Sequence, residues 1–394
     1  MWVKKRHKVV KKIINPFINT YLRLQYKFKR PKPIKLKENS IVISNHTTSM
    51  DQFFMNAIFK DHLYYMASHD IFQHRVIGKL IEWLVHPIPK EKSRSSDLSA
   101  IKNCMRVIKE NGSICIFVEG NRNYDGHLGY VDDSIVKLVK MLKKPLVICN
   151  ILGGFGAEPR WASKPRKGKC EAFVKHIYSY DEIKNMSNEA LYDLITKQIT
   201  VDDENYYDNY KSKKRAECLE RYLYVCPVCG KISTIYSKGN FVYCSECGLK
   251  AEYKANLRFE SDHPDFNIKT VKEWGDYQLD YVKSLDYPDN EIIYQEEVEL
   301  YEPRMYKKKL KLGDGLLRMY NDRFVFDLDT ESIVLDFDNI EAVTCLGKKK
   351  LNIYHNGKTY QLFKENNKNV IKLMHAYYIL KNKKAGVLND FVGI

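Results

Sequence analysis

The chain has 394 residues, enough for two or three domains with cores of their own. No apolar run reaches the ~20 residues of a membrane-spanning helix, and lysines break the apolar run that a signal peptide would need, so a cytoplasmic protein is expected. The net charge of +16 is uneven: thirteen Lys or Arg residues precede the first acidic one, Glu38, and such a basic arm favours a polyanion, either anionic lipid or nucleic acid.

In that arm, residues 1–37, Val10, Ile13, Ile14, Phe17, Ile18, Tyr21 and Leu22 recur at helical spacing, with Lys and Arg opposite. Asn15 and Pro16 suit an N-cap and a first helical position, which predicts two short helices with a bend between them. With Trp2 and Phe17 on the apolar side, this reads as an interfacial membrane anchor; packing of the stripe on the protein body is the alternative.

Residues 38–200 alternate strands with helices. "SIVIS", "LYYMAS", "SICIFV" and "PLVICNI" read as strands, while "DLSAIKNCMRVIKENG", closed by Gly112, and "DDSIVKLVKMLKK" read as helices. Short apolar runs between helices indicate an α/β domain whose mixed sheet is covered by helices. Residues 201–221 are polar and read as a linker, 222–256 as a small cysteine module, and 257–295 as a helical connector around "TVKEWGDYQLDYVKSL". From 296 to 394 the pattern is mostly strands, with a hairpin at Asn356-Gly357 and a last helix, "NNKNVIKLMHAYYILK". This α+β module resembles a pleckstrin-homology (PH) or GRAM domain in outline.

"ISNHTTSMDQ" places His46 five positions before Asp51, between a strand and the helix "MDQFFMNAIF". An imidazole whose tautomer is held by a carboxylate can take a proton from an attacking hydroxyl, although Thr47, Thr48, Ser49 and Asp51 are also ordinary capping residues. "FVEGNRN" then displays Glu119 and Arg122 at the end of the next apolar strand, turned by Gly120. Arg offers a planar fork for phosphate oxygens, and Glu can order that Arg or hold a substrate hydroxyl.

His-x4-Asp followed about 70 residues later by Phe-x-Glu-Gly-x-Arg resembles the glycerolipid (lysophospholipid) acyltransferase family, over roughly residues 39–176. "HPIPKEKSRSSD" resembles that family's second block, with Lys90 where Arg is usual. "PLVICNILGGFGAEPRWA" resembles its fourth block; the usual proline is replaced by the Cys149 region, and Arg160 and Trp161 sit in the "PRW" of a bacterial branch. The resemblance implies His46 as general base, Asp51 as its orienting group, and Glu119, Gly120 and Arg122 as the acceptor's phosphate site, with Lys90 and Arg160 as further substrate contacts. It also implies a lysophospholipid acceptor, an acyl-CoA or acyl carrier protein donor, N-terminal helices on an anionic membrane surface, and a peripheral place on the inner face of the cell membrane. Direct transfer needs no nucleophilic cysteine, so Cys104 and Cys115 read as buried apolar residues.

"CPVCG" and "CSECG" hold Cys226, Cys229, Cys244 and Cys247 in two knuckles separated by 14 residues. Thiolates at this spacing form a closed four-cysteine zinc ribbon; iron suits four thiolates too, but redox work has no partner here. Two alternatives follow from another class of function: a nucleic-acid-binding zinc-ribbon protein, disfavoured by charge that sits in the arm rather than the ribbon, and a non-catalytic lipid-binding scaffold.

Overall fold

The computed structural model describes residues 1–72, 75–90, 97–207, 209–304, 307–329, 331–363, 369–386, 391 and 393. Two compact units divide the chain: the first runs to Ser212, and the second comprises Lys213 onward together with Trp161–Ser163.

The first unit opens with α1 (Lys5–Tyr26). This is one helix rather than the expected two, with Pro16 inside it. Thr20 donates its hydroxyl to the Pro16 carbonyl (2.9 Å), and Lys27 ends the helix in the left-handed region. Then follow β1 (Ile41–Ser44), α2 (Asp51–Ile58), β2 (Leu63–Ser68), α3 (Arg75–Val85), β3 (Ile88–Lys90), α4 (Asp97–Lys109), β4 (Ser113–Phe117), α5 (Ser134–Leu142), β5 (Leu146–Leu152), α6 (Gly154–Ala157), β6 (Glu171–Tyr178), α7 (Tyr180–Ile183) and α8 (Asn188–Ile199). Of the second-block segment, residues 91–96 lie outside the described residues.

The six strands form one mixed sheet, ordered β3-β2-β4-β1-β5-β6. The first five are parallel and β6 runs antiparallel to β5, with a bulge at Ile148–Cys149. Central strands that are covered on both faces must be continuously apolar. Accordingly Ile41, Ile43, Ile114, Ile116, Leu146 and Ile148 are buried in one core with Val107, Val136, Val139, Leu191 and Ile195 from the helices. Asn111 (φ +59°), not Gly112, takes the left-handed turn after α4; Gly112 instead closes a bond to the Val107 carbonyl (2.9 Å).

The expected linker at 201–221 is folded. Asp203 accepts the N–H groups of Gly153 (2.7 Å) and Phe155 (2.8 Å), which fixes the turn after β5. The buried Tyr210 ring lies where side chains on Gly156 or Gly168 would collide with it. Buried polar groups are almost always hydrogen-bonded, and here those bonds tie a polar run to the sheet.

In the second unit, β7 (Ile235–Lys238), β8 (Phe241–Cys244), β9 (Lys250–Tyr253) and β10 (Phe259–Glu260) form a small antiparallel sheet, and α9 (Val271–Ser284) starts at its Thr270 cap. Beyond it β11 (Tyr294–Glu302), β12 (Leu310–Met319), β13 (Arg323–Leu328), β14 (Ser332–Asp336), β15 (Ile340–Leu346), β16 (Lys350–His355) and β17 (Lys358–Phe363) make a seven-stranded sheet ordered β14-β13-β12-β11-β17-β16-β15. Asn356 (φ +49°) and Gly357 (φ +72°) form the two-residue hairpin turn, as that dipeptide predicts. The closing helix, α10 (Ile371–Ala385), is buried on every side from Ile371 to Leu380. It starts later than the expected segment, whose residues 366–368 lie outside the described residues.

Candidate active site

The loops after β1, β4 and β5 meet at the C-terminal ends of three adjacent parallel strands, where open α/β sheets form their ligand crevices. His46 lies in the first loop. Its Nδ1 is 2.7 Å from Asp51 Oδ2, and its ring stacks on Phe117 of β4 with centroids 4.6 Å apart. Asp51 is fully buried at the start of α2. Besides His46, its carboxylate accepts the N–H groups of Thr47 (2.7 Å) and Thr48 (3.0 Å) and the Thr48 hydroxyl (2.6 Å). A carboxylate only accepts, so in the neutral imidazole the proton is on His46 Nδ1 and the lone pair on Nε2. Asp51 therefore both organises the turn and orients the imidazole. Asn45 ties the same loop to β5 through paired bonds with Ile151 (both 2.8 Å).

Glu119 follows β4, just before the Gly120 turn (φ +66°). Its oxygens accept the His46 N–H (2.6 Å) and the Gly129 N–H (2.9 Å). Burial raises its pKa to about 8, against the lowering effect of those two N–H groups. In the structure Glu119 braces the histidine loop, and it is not the ion-pair partner of Arg122. The partner of Arg122 is Glu158, whose Oε1 lies 3.4 Å from Arg122 Nη1. Glu158 also accepts the hydroxyls of Ser49 (2.6 Å) and Tyr26 (2.8 Å).

Arg160 is buried. It donates to the Arg122 carbonyl (2.9 Å), and its guanidinium lies 4.4 Å from the Tyr124 ring centroid. It thereby holds the Arg122 loop. Burial, then the charge of Arg160, lowers the Arg122 pKa, while Glu158 opposes that shift. Lys90 ends β3 at the same edge of the sheet, half-buried. Sequence reasoning missed Glu158, Ser49 and Phe117. A glutamate between Ala157 and Pro159 carries no local signal of a partner such as Tyr26, 132 positions away.

Residues 25–151 match the family model described as Acyltransferase. This segment belongs to the acyltransferase family. The segment is also similar to the 1-acyl-sn-glycerol-3-phosphate acyltransferases of Limnanthes douglasii, 30% identical over 123 residues, and Limnanthes alba, 30% identical over 113. Those matches cover 29% and 28% of this chain, and 43% and 40% of the two relatives, so the chain spans less than half the length of the curated relatives it matches. Among solved structures, the crystal structure of the 1-acyl-sn-glycerophosphate acyltransferase PlsC from Thermotoga maritima is similar at 17% identity and a TM-score of 0.39, covering 49% of this chain and 78% of that one. The acyltransferase segment contains His46, Asp51, Lys90, Glu119, Gly120 and Arg122; Glu158 and Arg160 lie beyond it.

The cysteines of the second unit lie outside the acyltransferase segment. The Sγ atoms of Cys226, Cys229, Cys244 and Cys247 all fall within 4.8 Å of one another, with Cys226–Cys247 at 3.6 Å and Cys229–Cys244 at 3.8 Å. A tetrahedron of thiolates around one ion at about 2.3 Å has edges of about 3.8 Å, so the set fits a single four-thiolate metal site. All ten cysteines are free thiols, and Cys104 and Cys115 are buried as expected.

Proposed function

We propose that this protein is a membrane-associated O-acyltransferase that moves a fatty acyl group from a thioester, acyl-CoA or acyl carrier protein, to a hydroxyl of a lysophospholipid such as 1-acyl-glycerol 3-phosphate. The observation that carries the reading is the 2.7 Å His46–Asp51 pair with Nε2 left as the base, one loop away from Arg122. In this mechanism His46 Nε2 takes the acceptor's hydroxyl proton as the oxygen adds to the thioester carbonyl. The tetrahedral intermediate collapses, the C–S bond breaks, and the imidazolium returns the proton to the departing thiolate. Asp51 steadies the imidazolium, and Arg122 holds the acceptor's phosphate with Lys90 as a further cation. Gly120 allows the turn that presents Arg122, while Glu119 and Arg160 keep the two loops in place.

The four cysteines hold a structural zinc ion in this reading, which keeps the ribbon folded. The C-terminal module is read as PH/GRAM-like from its antiparallel strands and closing helix. The N-terminal arm, basic and apolar, seats the enzyme peripherally on an anionic membrane surface, on the inner face of the cell membrane.

Purified protein given labelled lysophosphatidic acid and a panel of acyl thioesters should form phosphatidic acid, and His46→Ala should abolish it. Near-normal turnover by His46→Ala would overturn the general-base assignment, and absence of product with every donor would overturn the proposed reaction.

A further inference from the structure

α1 buries a histidine and a lysine of its first half against the protein while it leaves a stripe of apolar residues exposed. The buried positions are His7, Lys11, Leu22 and Tyr26. His7 Nδ1 meets the Tyr64 hydroxyl (3.0 Å), and the Lys11 ammonium donates to the carbonyls of Phe59 (2.9 Å) and Asp61. Val9, Ile13, Phe17, Tyr21 and Leu24, every third or fourth residue, are 53, 61, 75, 43 and 64% exposed. A helix that packs only on its own protein buries the apolar stripe and exposes the polar one.

α3 repeats this arrangement. Val76, Ile77, Leu80 and Trp83 are 70, 50, 50 and 53% exposed. Gly78 of α3 is buried, and a side chain there would meet the Phe72 backbone at 3.0 Å. The glycine lets α3 fold closely against the turn that precedes it, while the helix presents these four large apolar residues outward. The two helices are neighbours: Arg6 of α1 donates to the Trp83 carbonyl (2.9 Å), with its guanidinium 5.1 Å from the Trp83 ring centroid. Trp2, expected on the apolar side, is instead spent on packing; it stacks on His86 (4.3 Å) and donates its indole N–H to the His86 carbonyl (3.0 Å).

Charge decides what covers such a face. α1 contains no acidic residue, and Lys5, Lys8, Lys12 and Arg23 are exposed along it. Among the described residues no helix is long and apolar enough to cross a membrane, whereas a basic helix with an outward apolar stripe lies in the headgroup region of an anionic bilayer. We propose that α3 is a second bilayer-inserting element, which forms one docking face with α1 and sinks Val76, Ile77, Leu80 and Trp83 into an anionic phospholipid surface. α3 follows the C-terminal end of β2 at Ser68, so docking of its first turns sets the membrane beside the edge of the sheet where the active-site loops meet. This deepens the acyltransferase reading by naming the surface that meets the acceptor's membrane, and it relies on that reading only for its purpose.

The test uses the full chain and vesicles of phosphatidylcholine with or without phosphatidylglycerol, in the absence of acyl donor. Phosphatidylglycerol vesicles should bind the protein, and brominated lipid should quench a tryptophan signal that disappears in Trp83→Phe. The Val76→Glu/Leu80→Glu double variant should bind at least about tenfold more weakly while melting at the wild-type temperature. Equal binding by that variant, or quenching unchanged by Trp83→Phe, would overturn the proposal. So would a dimer in light scattering that the double variant dissolves, without any vesicle binding by the wild type. Because no turnover is read, a chain that docks but transfers nothing refutes the catalytic reading alone. A chain that acylates dispersed substrate but shows no Trp83 quenching refutes the docking face alone.

Discussion

Asp51 organises the turn before α2 and, in the proposed mechanism, orients the general base, and one substitution tests the second task. Its carboxylate satisfies four donors: His46 Nδ1, the Thr47 and Thr48 N–H groups, and the Thr48 hydroxyl. An amide in its place keeps one acceptor oxygen for the Thr48 donors and turns its NH2 group toward Nδ1 and the Thr47 N–H, which share Oδ2 in the wild type. The imidazole must then hold its lone pair at Nδ1 and its proton at Nε2, where it cannot act as the base. Asp51→Asn should lower the turnover rate about 10³–10⁴-fold, by analogy with the best-measured carboxylate–histidine pair. The acceptor's KM should move only a few-fold, because Arg122 and Glu158 are untouched. Steady-state kinetics beside His46→Ala decide this; a turnover rate within tenfold of wild type would mean that Nε2 is not the base.

At the scale of one element, the start of α1 is pinned by a cluster of histidines. His7 lies 5.4 Å from His62 and 6.0 Å from His86, ring to ring, beneath the Trp2 stack. Burial lowers His7 to about 4 and His62 to about 3, and it lowers His86 as well. Lys4, Arg6, Lys8 and Lys11 add to the lowering at one or another of these rings, while Glu82 opposes it at His86. Each group is depressed below its unfolded value of 6.5, so the neutral cluster contributes full stability above that pH and loses it as the pH falls toward 4. Amide protection over residues 5–12 should therefore drop between pH 6.5 and 4, and His7→Gln should flatten that slope. An equal slope in the variant would assign the acid response to carboxylates elsewhere. Periodicity made this helix and its apolar stripe legible, but it did not show which face packs inward. His7 and Lys11 are buried through Tyr64, Phe59 and Asp61, partners about 50 residues away that no local spacing encodes. The folded segment at Asp203 was hidden for the same reason: a polar run is a linker until its carboxylate finds the N–H groups of Gly153 and Phe155.

At the scale of the whole molecule, the motifs readable in the sequence are those whose partners are close in the chain or follow strands of one sheet. The cysteine knuckles and the His46–Asp51 turn are of this kind. The consequence of the ribbon for the second unit was not readable, because it depends on contacts with α10. The buried Lys372 ammonium bonds Ser233 (2.7 Å) of the ribbon and pairs with Glu296 of β11. Tyr224, two residues before Cys226, holds His375 at 2.9 Å, and Asn369 donates to the Glu220 carbonyl (3.1 Å). Ribbon, sheet and closing helix thus share buried polar bonds, and breaking one partner of such a set leaves the other unsatisfied. Metal binding to four thiolates contributes on the order of 10 kcal/mol to the folding of small zinc modules, so an ion held by these four cysteines would dominate the ribbon's stability. A strong chelator, or Cys226→Ser, should therefore do more than melt residues 222–256. Hydrogen exchange should also quicken in β11 and over residues 369–380, with β4 and β5 of the acyltransferase segment unchanged as an internal reference. Faster exchange confined to the ribbon would mean that the C-terminal sheet and α10 stand without it. In that case the Lys372 and Tyr224 bonds would be incidental to the stability of the unit.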